Sequence, residues 1–142
     1  MTDTPCITGF HHVAIRVRDF DRSLAFYTEI LGLSPRVAWG EAPTRAVMLG
    51  AEDRVYLEIF ERPAQAAASG EEGTLLHFAL RTPDASAMLE RARTAGCEVT
   101  MEPKEVNIGN THPSLPSSVP VKIAFVKGPD GEVIEFFENQ LT

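Results

Sequence analysis

The sequence contains two similar segments, and this internal repeat limits the possible folds more than any other feature of the chain. The segments HVAIRVRD and HFALRTPD begin 65 residues apart, at His12 and His77. A second matched pair, LEIFE and IEFFE, lies 77 residues apart and contains Glu58 and Glu135. The chain is therefore predicted to contain two copies of one module, each with one histidine and one glutamate at equivalent positions.

Each copy begins with a predicted strand and continues with a predicted helix. In the first copy, apolar residues alternate from His11 to Val17, which is the two-residue period of a strand. Asp19 or Asp21 suits the start of a helix, and Gly32 suits its end. Between them, apolar residues recur at Leu24, Tyr27, Ile30 and Leu31 and should face the core. The second copy repeats this order, with a helix bounded by Asp84 and Gly96.

Three shorter strand-like runs follow each helix. They are Val37–Trp39, Arg45–Leu49 and Arg54–Phe60 in the first copy, and Glu98–Met101, Lys122–Lys127 and Val133–Glu138 in the second. The turn sequence from Gly128 to Gly131 should join the last two as a hairpin. We predict an α+β fold: two tandem βαβββ modules, residues about 8–62 and about 74–140, that form one domain over residues 1–142.

Two segments fall outside the repeated elements. Arg62 to Gly73 is rich in Ala, Gly, Glu and Pro, and we interpret it as a linker. The segment between Met101 and Val121 contains four prolines and accounts for the 12 extra residues of the second copy. Loops of this length are usually functional or mobile, so this segment is either a lid over the site or a disordered excursion.

The alternation places the repeated histidines and glutamates on one face of their strands. In all four strands the opposite, apolar face should receive the helix, which leaves His12, Glu58, His77 and Glu135 on the other face. If the two sheets curve toward each other, the four side chains meet in one cup, above the small Ala14 and Ala79. Imidazole and carboxylate ligands suit Zn, Ni, Co, Mn or Fe, so the sequence predicts a divalent metal site.

Several other polar residues have weaker claims to function. Arg16 lies four residues after His12 on the same face and could bind a substrate carboxylate, as could Arg81 in the second copy. The alternative is that both are exposed arginines near strand ends.

We interpret His11 as structural and give His112 only an outside chance of contacting a substrate. Glu61 and Glu138 face away from the ligands, and we interpret them as solvent-exposed groups at strand ends.

Composition excludes several classes of protein. The net charge of −7 argues against a nucleic-acid binder. The sequence has no run of 18 apolar residues and no signal-peptide pattern at its start, so we expect a cytoplasmic protein that does not span a membrane. Cys6 and Cys97 are isolated, which is typical of unpaired thiols in a reducing compartment.

Nearly the whole chain resembles the vicinal oxygen chelate superfamily, which includes glyoxalase I, methylmalonyl-CoA epimerases, extradiol dioxygenases and bleomycin resistance proteins. The resemblance rests on three segments, HHVAIRVRDFDRSLAFYTEILGL, LLHFALRTPDASAMLERARTAG and GPDGEVIEFFE. It implies paired βαβββ modules, a small-molecule substrate and a homodimer. In many short members the metal site is assembled across the dimer interface.

Within this superfamily the His-Glu-His-Glu pattern is similar to that of glyoxalase I, or lactoylglutathione lyase. The resemblance implies Zn or Ni as the metal, with Co, Mn or Fe as alternatives. It further implies an enediolate stabilised by bidentate chelation, with Glu135 moving the proton and Glu58 able to share that role. Arg16 matches an arginine that contacts the glutathione carboxylate. Arg62 stands where glyoxalase I often has asparagine, and Asn107 to Val121 lacks the basic residues expected near glutathione.

Three functions therefore remain open from the sequence. The first is a metal-dependent lyase, isomerase or epimerase of the glyoxalase I type. The second is a non-enzymatic protein that binds a drug or metabolite, as bleomycin resistance proteins do. The third, which the ligand pattern favours least, is an extradiol-type dioxygenase in which Glu58 is a bystander.

Overall fold

The computed structural model describes residues 4–62, 75–128 and 131–142. They form two compact units. The N-terminal unit comprises His12–Leu76 and Ile108–Val119, and the C-terminal unit comprises Met1–His11, His77–Asn107 and Pro120–Thr142, in each case over the described residues. The predicted linker from Arg62 to Gly73 lies, apart from Arg62 itself, outside those residues, as do Pro129 and Asp130 of the predicted turn.

The N-terminal unit has the predicted order of strand, helix and three strands. Its elements are β1 (Gly9–Val17, from His12 onward), α1 (Phe20–Ala25), a π-helical turn (Phe26–Ile30), β2 (Ser34–Trp39), β3 (Ala46–Gly50) and β4 (Tyr56–Glu61). The strands are ordered β2-β3-β4-β1. β4 runs parallel to β1, while β2, β3 and β4 are successively antiparallel.

The C-terminal unit repeats this arrangement. Its elements are β5 (Leu75–Arg81, from His77 onward), α2 (Ala85–Thr94), β6 (Glu98–Gly109, as far as Asn107), β7 (Ser118–Lys127, from Pro120 onward) and β8 (Val133–Glu138). The strands are ordered β5-β8-β7-β6, with β8 parallel to β5 and antiparallel to β7. The predicted βαβββ order is therefore confirmed in both copies.

The helix starts follow the sequence signals. The Asp19 carboxylate accepts a hydrogen bond from the backbone N–H of Arg22 at 3.0 Å, and Asp84 accepts one from Ala87 at 2.9 Å. These bonds satisfy backbone N–H groups that have no partner within the first turn of a helix. Gly32, which follows the first helical segment, has a φ of +80° that favours glycine.

One part of the first helix differs from the predicted pattern. Leu24 and Tyr27 pack on the core as expected, but Ile30 and Leu31 are 72% and 55% exposed. The cause is the π-helical turn, in which the N–H of Leu31 donates to the carbonyl of Phe26, five residues earlier. The wider turn changes the phase of the side chains, so that Ile30 and Leu31 point outward.

Each helix covers the apolar face of its own sheet. In the N-terminal unit the buried core residues are Phe20, Val47, Leu49 and Ile59, with Ile15 and Leu57 packed against them. In the C-terminal unit they are Ala85, Leu89, Ala124, Val126 and Phe136, with Leu80 and Ile134 packed against them. Because strand side chains alternate, the residues between these core positions face the other side of each sheet.

The segment between Met101 and Val121 is not a disordered excursion, and its role as a lid stays a prediction. β6 and β7 extend through most of it, and residues 110–117 connect them. The buried Asn110 organises this connection, since its amide donates to the carbonyls of His112, Leu115 and Pro116 at 2.8–3.0 Å. Its Oδ1 accepts from the N–H of Ala38 in β2 at 3.1 Å, which attaches the hairpin tip to the N-terminal unit.

Glu61 and Glu138 are not the solvent groups that we expected, because each ties its strand to the start of a helix. Glu138 accepts a 2.8 Å hydrogen bond from the N–H of Ala85, the first residue of α2. Glu61 forms a two-pronged ion pair with Arg45 at 2.6 and 2.9 Å. The Arg45 guanidinium also contacts Asp21 in α1 at 3.0 Å.

Two further observations concern membrane-spanning helices and the cysteines. Over the described residues, no helix has the length and apolar character needed to cross a membrane. Cys6 is exposed and Cys97 half-buried, and both are free thiols.

The ion pair between Glu61 and Arg45 predicts a pH-dependent contribution to stability. The Arg45 guanidinium lowers the pKa of Glu61 from its ordinary value of 4.5. Folding therefore favours the ionised form, and the stabilisation is present above pH 4.5 and is lost as the pH falls through the lowered value. We expect Glu61→Gln to lower the melting temperature at pH 7 and to converge with the wild type in acid.

Thermal unfolding at a series of pH values measures this difference. Glu52→Gln is the control, because Glu52 is an exposed glutamate in the turn before β4. A constant difference between Glu61→Gln and the wild type down to the lowest pH would contradict the assignment.

Candidate metal centre

The N-terminal unit places His12 beside Glu58. In the parallel pairing of β1 and β4, Ala14 lies opposite Glu58, and His12 lies opposite Tyr56, two residues before Glu58. The His12 Nε2 is 3.3 Å from Glu58 Oε1, and the two side chains are 0% and 6% exposed. Because Ala14 is small, it leaves the face above it open to both side chains.

The C-terminal unit repeats this pair with His77 and Glu135. The His77 Nε2 lies 3.2 Å from Glu135 Oε2, and Ala79 lies opposite Glu135 in the register of β5 and β8. The ring of Phe125, which is opposite Glu135 on β7, meets the His77 ring edge-on with centroids 5.3 Å apart. Phe125 therefore fixes the plane of the imidazole from one side.

The separations within both pairs fit two ligands of one metal ion. Zn–N and Zn–O distances are about 2.0–2.2 Å, which puts the ligand atoms about 3 Å apart when they are neighbours around the ion. A hydrogen bond from a protonated ring nitrogen has a similar length, so the geometry accepts a metal without requiring one. A buried carboxylate needs a cationic or hydrogen-bonding partner, and each pair supplies an imidazole.

The two repeated arginines occupy different environments. Arg16 lies opposite Phe60 on β1, on the same face as Ala14, and is half-buried. Arg81 is committed to a structural contact, because its Nη1 donates a 2.7 Å hydrogen bond to the main-chain oxygen of Thr142. The contact with Thr142 gives Arg81 a structural role, while substrate binding by Arg16 stays a prediction.

The remaining histidines contact their own surroundings. The fully buried His11 shares a 2.5 Å hydrogen bond with the hydroxyl of Thr142, and its ring stacks on Phe137 with centroids 3.9 Å apart. His112 accepts a hydrogen bond from the N–H of Ser114 through Nδ1 at 3.2 Å, inside the hairpin tip. These contacts account for His11 and His112 as structural residues.

One residue on the ligand face of the N-terminal unit escaped the sequence analysis. Arg36 lies at an irregularity in β2, where the register with β3 shifts between Pro35 and Val37. A strict two-residue alternation places Arg36 on the same face as Ser34 and gives no sign of the shift. The one sequence feature that could have indicated the irregularity is the position of Arg36, a charged residue directly after Pro35 in a short strand.

The family assignment follows from sequence comparison. The profile described as the Glyoxalase/Bleomycin resistance protein/Dioxygenase superfamily matches residues 9–136. This chain belongs to that superfamily, as its resemblance predicted.

Curated relatives give the assignment more detail. The chain is 35% identical over 136 residues to a lactoylglutathione lyase of Haemophilus influenzae, with 92% of this chain and 93% of that protein covered. It is 33% identical over 133 residues to a probable lactoylglutathione lyase of Vibrio cholerae, covering 91% of this chain and 89% of the relative.

Solved structures agree on the fold. A methylmalonyl-CoA epimerase from Mycobacterium tuberculosis superposes with a TM-score of 0.69 at 23% identity, over 99% of this chain and 93% of its own. A Mn(II)-bound glyoxalase from Novosphingobium aromaticivorans gives a TM-score of 0.64 at 22% identity, over 94% of this chain and 40% of that one. These likenesses confirm the predicted α+β, glyoxalase-like fold.

The contact between Arg81 and Thr142 yields a prediction. Arg81→Met removes a charged donor from the main-chain oxygen of Thr142, and we expect it to lower the free energy of unfolding by roughly 1.5 kcal/mol. Arg22→Met, which removes an exposed arginine from α1, is the control and should unfold as the wild type does. Urea unfolding of both variants measures the difference, and equal destabilisation by the two substitutions would contradict the assignment.

Proposed function

We propose that this protein is a metal-dependent lyase or isomerase of the glyoxalase I type. The observation that carries the proposal is the buried pairing of one histidine with one glutamate at ligand spacing in each unit, on the face that the helix leaves open. The repeat, membership in the superfamily and the lactoylglutathione lyases among the curated relatives support it.

In this proposal His12, Glu58, His77 and Glu135 together ligate one divalent ion, with Zn or Ni preferred and Co, Mn or Fe as alternatives. The ion supplies a Lewis acid that polarises a substrate carbonyl and makes the neighbouring C–H more acidic. Glu135 is the residue assigned to move that proton, because it is a buried carboxylate beside an imidazole. Glu58 occupies the equivalent position in the other copy and shares that capacity.

The remaining assignments concern the substrate and the assembly. Arg16 binds a substrate carboxylate, since it is half-buried on the face that carries His12. The tip of the hairpin offers the amide of Asn110 to its own backbone rather than basic residues to a ligand, so Arg16 is the group assigned to a carboxylate such as those of glutathione. A homodimer is proposed from the family resemblance.

Substitution of the glutamates tests the ligand set. We expect Glu58→Gln and Glu135→Gln to lose most of the bound metal, because an amide oxygen is a weaker ligand than a carboxylate. Turnover should fall at least about a hundredfold in Glu135→Gln, which loses the proton-transferring group. Metal analysis of the purified proteins should give one ion per wild-type chain.

Glu138→Gln is the matched control, because Glu138 lies three residues after Glu135 on the same strand and bonds to α2 instead. Its metal content should equal that of the wild type. If both glutamate variants at positions 58 and 135 keep the full metal content, the proposed ligand set is wrong.

The substrate is tested with the hemithioacetal of methylglyoxal and glutathione. We expect turnover with added Ni or Zn, loss of turnover on chelation and recovery when metal is restored. Stoichiometric metal without turnover would keep the site but remove this substrate, and acyl-CoA thioesters would be assayed next. A protein that binds no metal would instead favour the non-enzymatic binding function.

A further inference from the structure

The irregularity in β2 brings an additional arginine to the face of the N-terminal unit that carries Glu58. Pro35 pairs with Leu49 on β3, but Val37 pairs with Met48, so Arg36 is an extra residue on β2. Bulges of this kind reorient side chains and are common beside functional sites. The side chain of Arg36 therefore does not follow the regular alternation of side chains between the two faces of the sheet.

The contacts around Gly50 show where the Arg36 side chain goes. Gly50 lies opposite Tyr56 on β4. A methyl group built on Gly50 would stand 3.4 Å from Cγ of Arg36 and 2.9 Å from the ring of Tyr56. The absence of a side chain at position 50 thus leaves a space that is bordered by the stem of Arg36 on one side and by the ring of Tyr56 on the other.

Tyr56 connects this contact to the candidate metal ligands. It is buried, it lies opposite His12 on β1, and it precedes Glu58 by two residues on the same face of β4. Met48, the pairing partner of Val37, lies opposite Glu58. Arg36 therefore approaches the strand surface on which His12 and Glu58 sit.

The Nε atom of Arg36 is a buried donor, and among residues 4–62, 75–128 and 131–142 none accepts a hydrogen bond from it. A guanidinium stays charged at all physiological pH values and presents its donors in a planar fork that fits carboxylate and phosphate groups. A buried donor of this type calls for an oxyanion.

We propose that Arg36 binds an oxyanion carried by the substrate, a carboxylate or a phosphate, beside the His12–Glu58 pair. The inference builds on the proposed function and narrows its substrate class: the molecule carries an anionic group in addition to the carbonyl that meets the metal. Arg36 thereby joins Arg16 as an anion-binding residue of the N-terminal unit, and the bulge in β2 determines its position.

Binding of paired metal-chelating probes tests this assignment. Acetohydroxamate has an uncharged tail, whereas the monohydroxamate of succinate carries a carboxylate and a phosphonate-tailed hydroxamate carries the alternative oxyanion. Calorimetry on the metal-loaded protein should show one of the charged probes binding about tenfold more tightly than acetohydroxamate, the size expected for one charge-assisted hydrogen bond. The charged probe with the higher affinity shows whether the site prefers a carboxylate or a phosphate-like group.

The preference should fall severalfold in Arg36→Met, while Arg16 accounts for any remainder and the affinity for acetohydroxamate stays unchanged. Arg36→Lys should keep part of the preference, since it keeps the charge without the fork. Arg22→Met, which removes an exposed arginine from α1, should behave as the wild type. An equal preference for the charged probe in the wild type and in Arg36→Met would overturn the proposal.

A measurement on metal-free protein separates this inference from the proposed function. If no hydroxamate binds to the metal-loaded protein, the proposed metal site is wrong, and NMR on the metal-free protein then tests Arg36 by itself. The Nε–H signal of Arg36 is identified by its absence from the spectrum of Arg36→Lys. This signal is followed during titration of the wild type with succinate and with methylphosphonate. A saturable shift with either supports the oxyanion site, and an unmoved signal overturns it.

Discussion

Each copy of the repeat buries a carboxylate against an imidazole, and much of the surrounding structure makes that burial possible. Glu58 and Glu135 are 5% and 4% exposed, although a carboxylate loses a large hydration free energy on leaving water. The histidine on the neighbouring strand supplies the polar partner, and an alanine directly opposite each glutamate leaves the space. The helix covers only the other face of the sheet, so the pair stays on a surface that a metal or a substrate could occupy.

The two copies conserve this arrangement but support it differently. In the first copy, Glu61 reaches the start of α1 through Arg45, whose guanidinium also lies 4.5 Å from the ring centre of Phe20. In the second, Glu138 bonds directly to the N–H of Ala85. Both copies therefore connect the end of a strand to the start of a helix, but they do so through different residues.

Alternation along the strands was enough to predict the faces of His12, Glu58, His77 and Glu135, because the helix on each sheet requires one uniformly apolar side. It failed where geometry departs from the regular period. The π-helical turn exposes Ile30 and Leu31, and the register shift at Arg36 adds a side chain to the ligand face. The prolines between Met101 and Val121 suggested a loop, yet β6 and β7 extend into that segment. A hydrogen-bonded amide such as that of Asn110 cannot be inferred from composition.

Two features that could not be predicted from the sequence, the bulge at Arg36 and the contact with the hairpin tip, both lie on β2. This strand carries the bulge at Arg36, and Ala38, two residues later, both donates to Asn110 and accepts from the N–H of Thr111 in the hairpin tip. The extra residues of the second copy thus stabilise the strand that positions an arginine near the ligand pair of the first. In the proposed function the metal ligands determine which chemistry is available, whereas β2, held by the hairpin tip, positions the arginine assigned to the rest of the substrate.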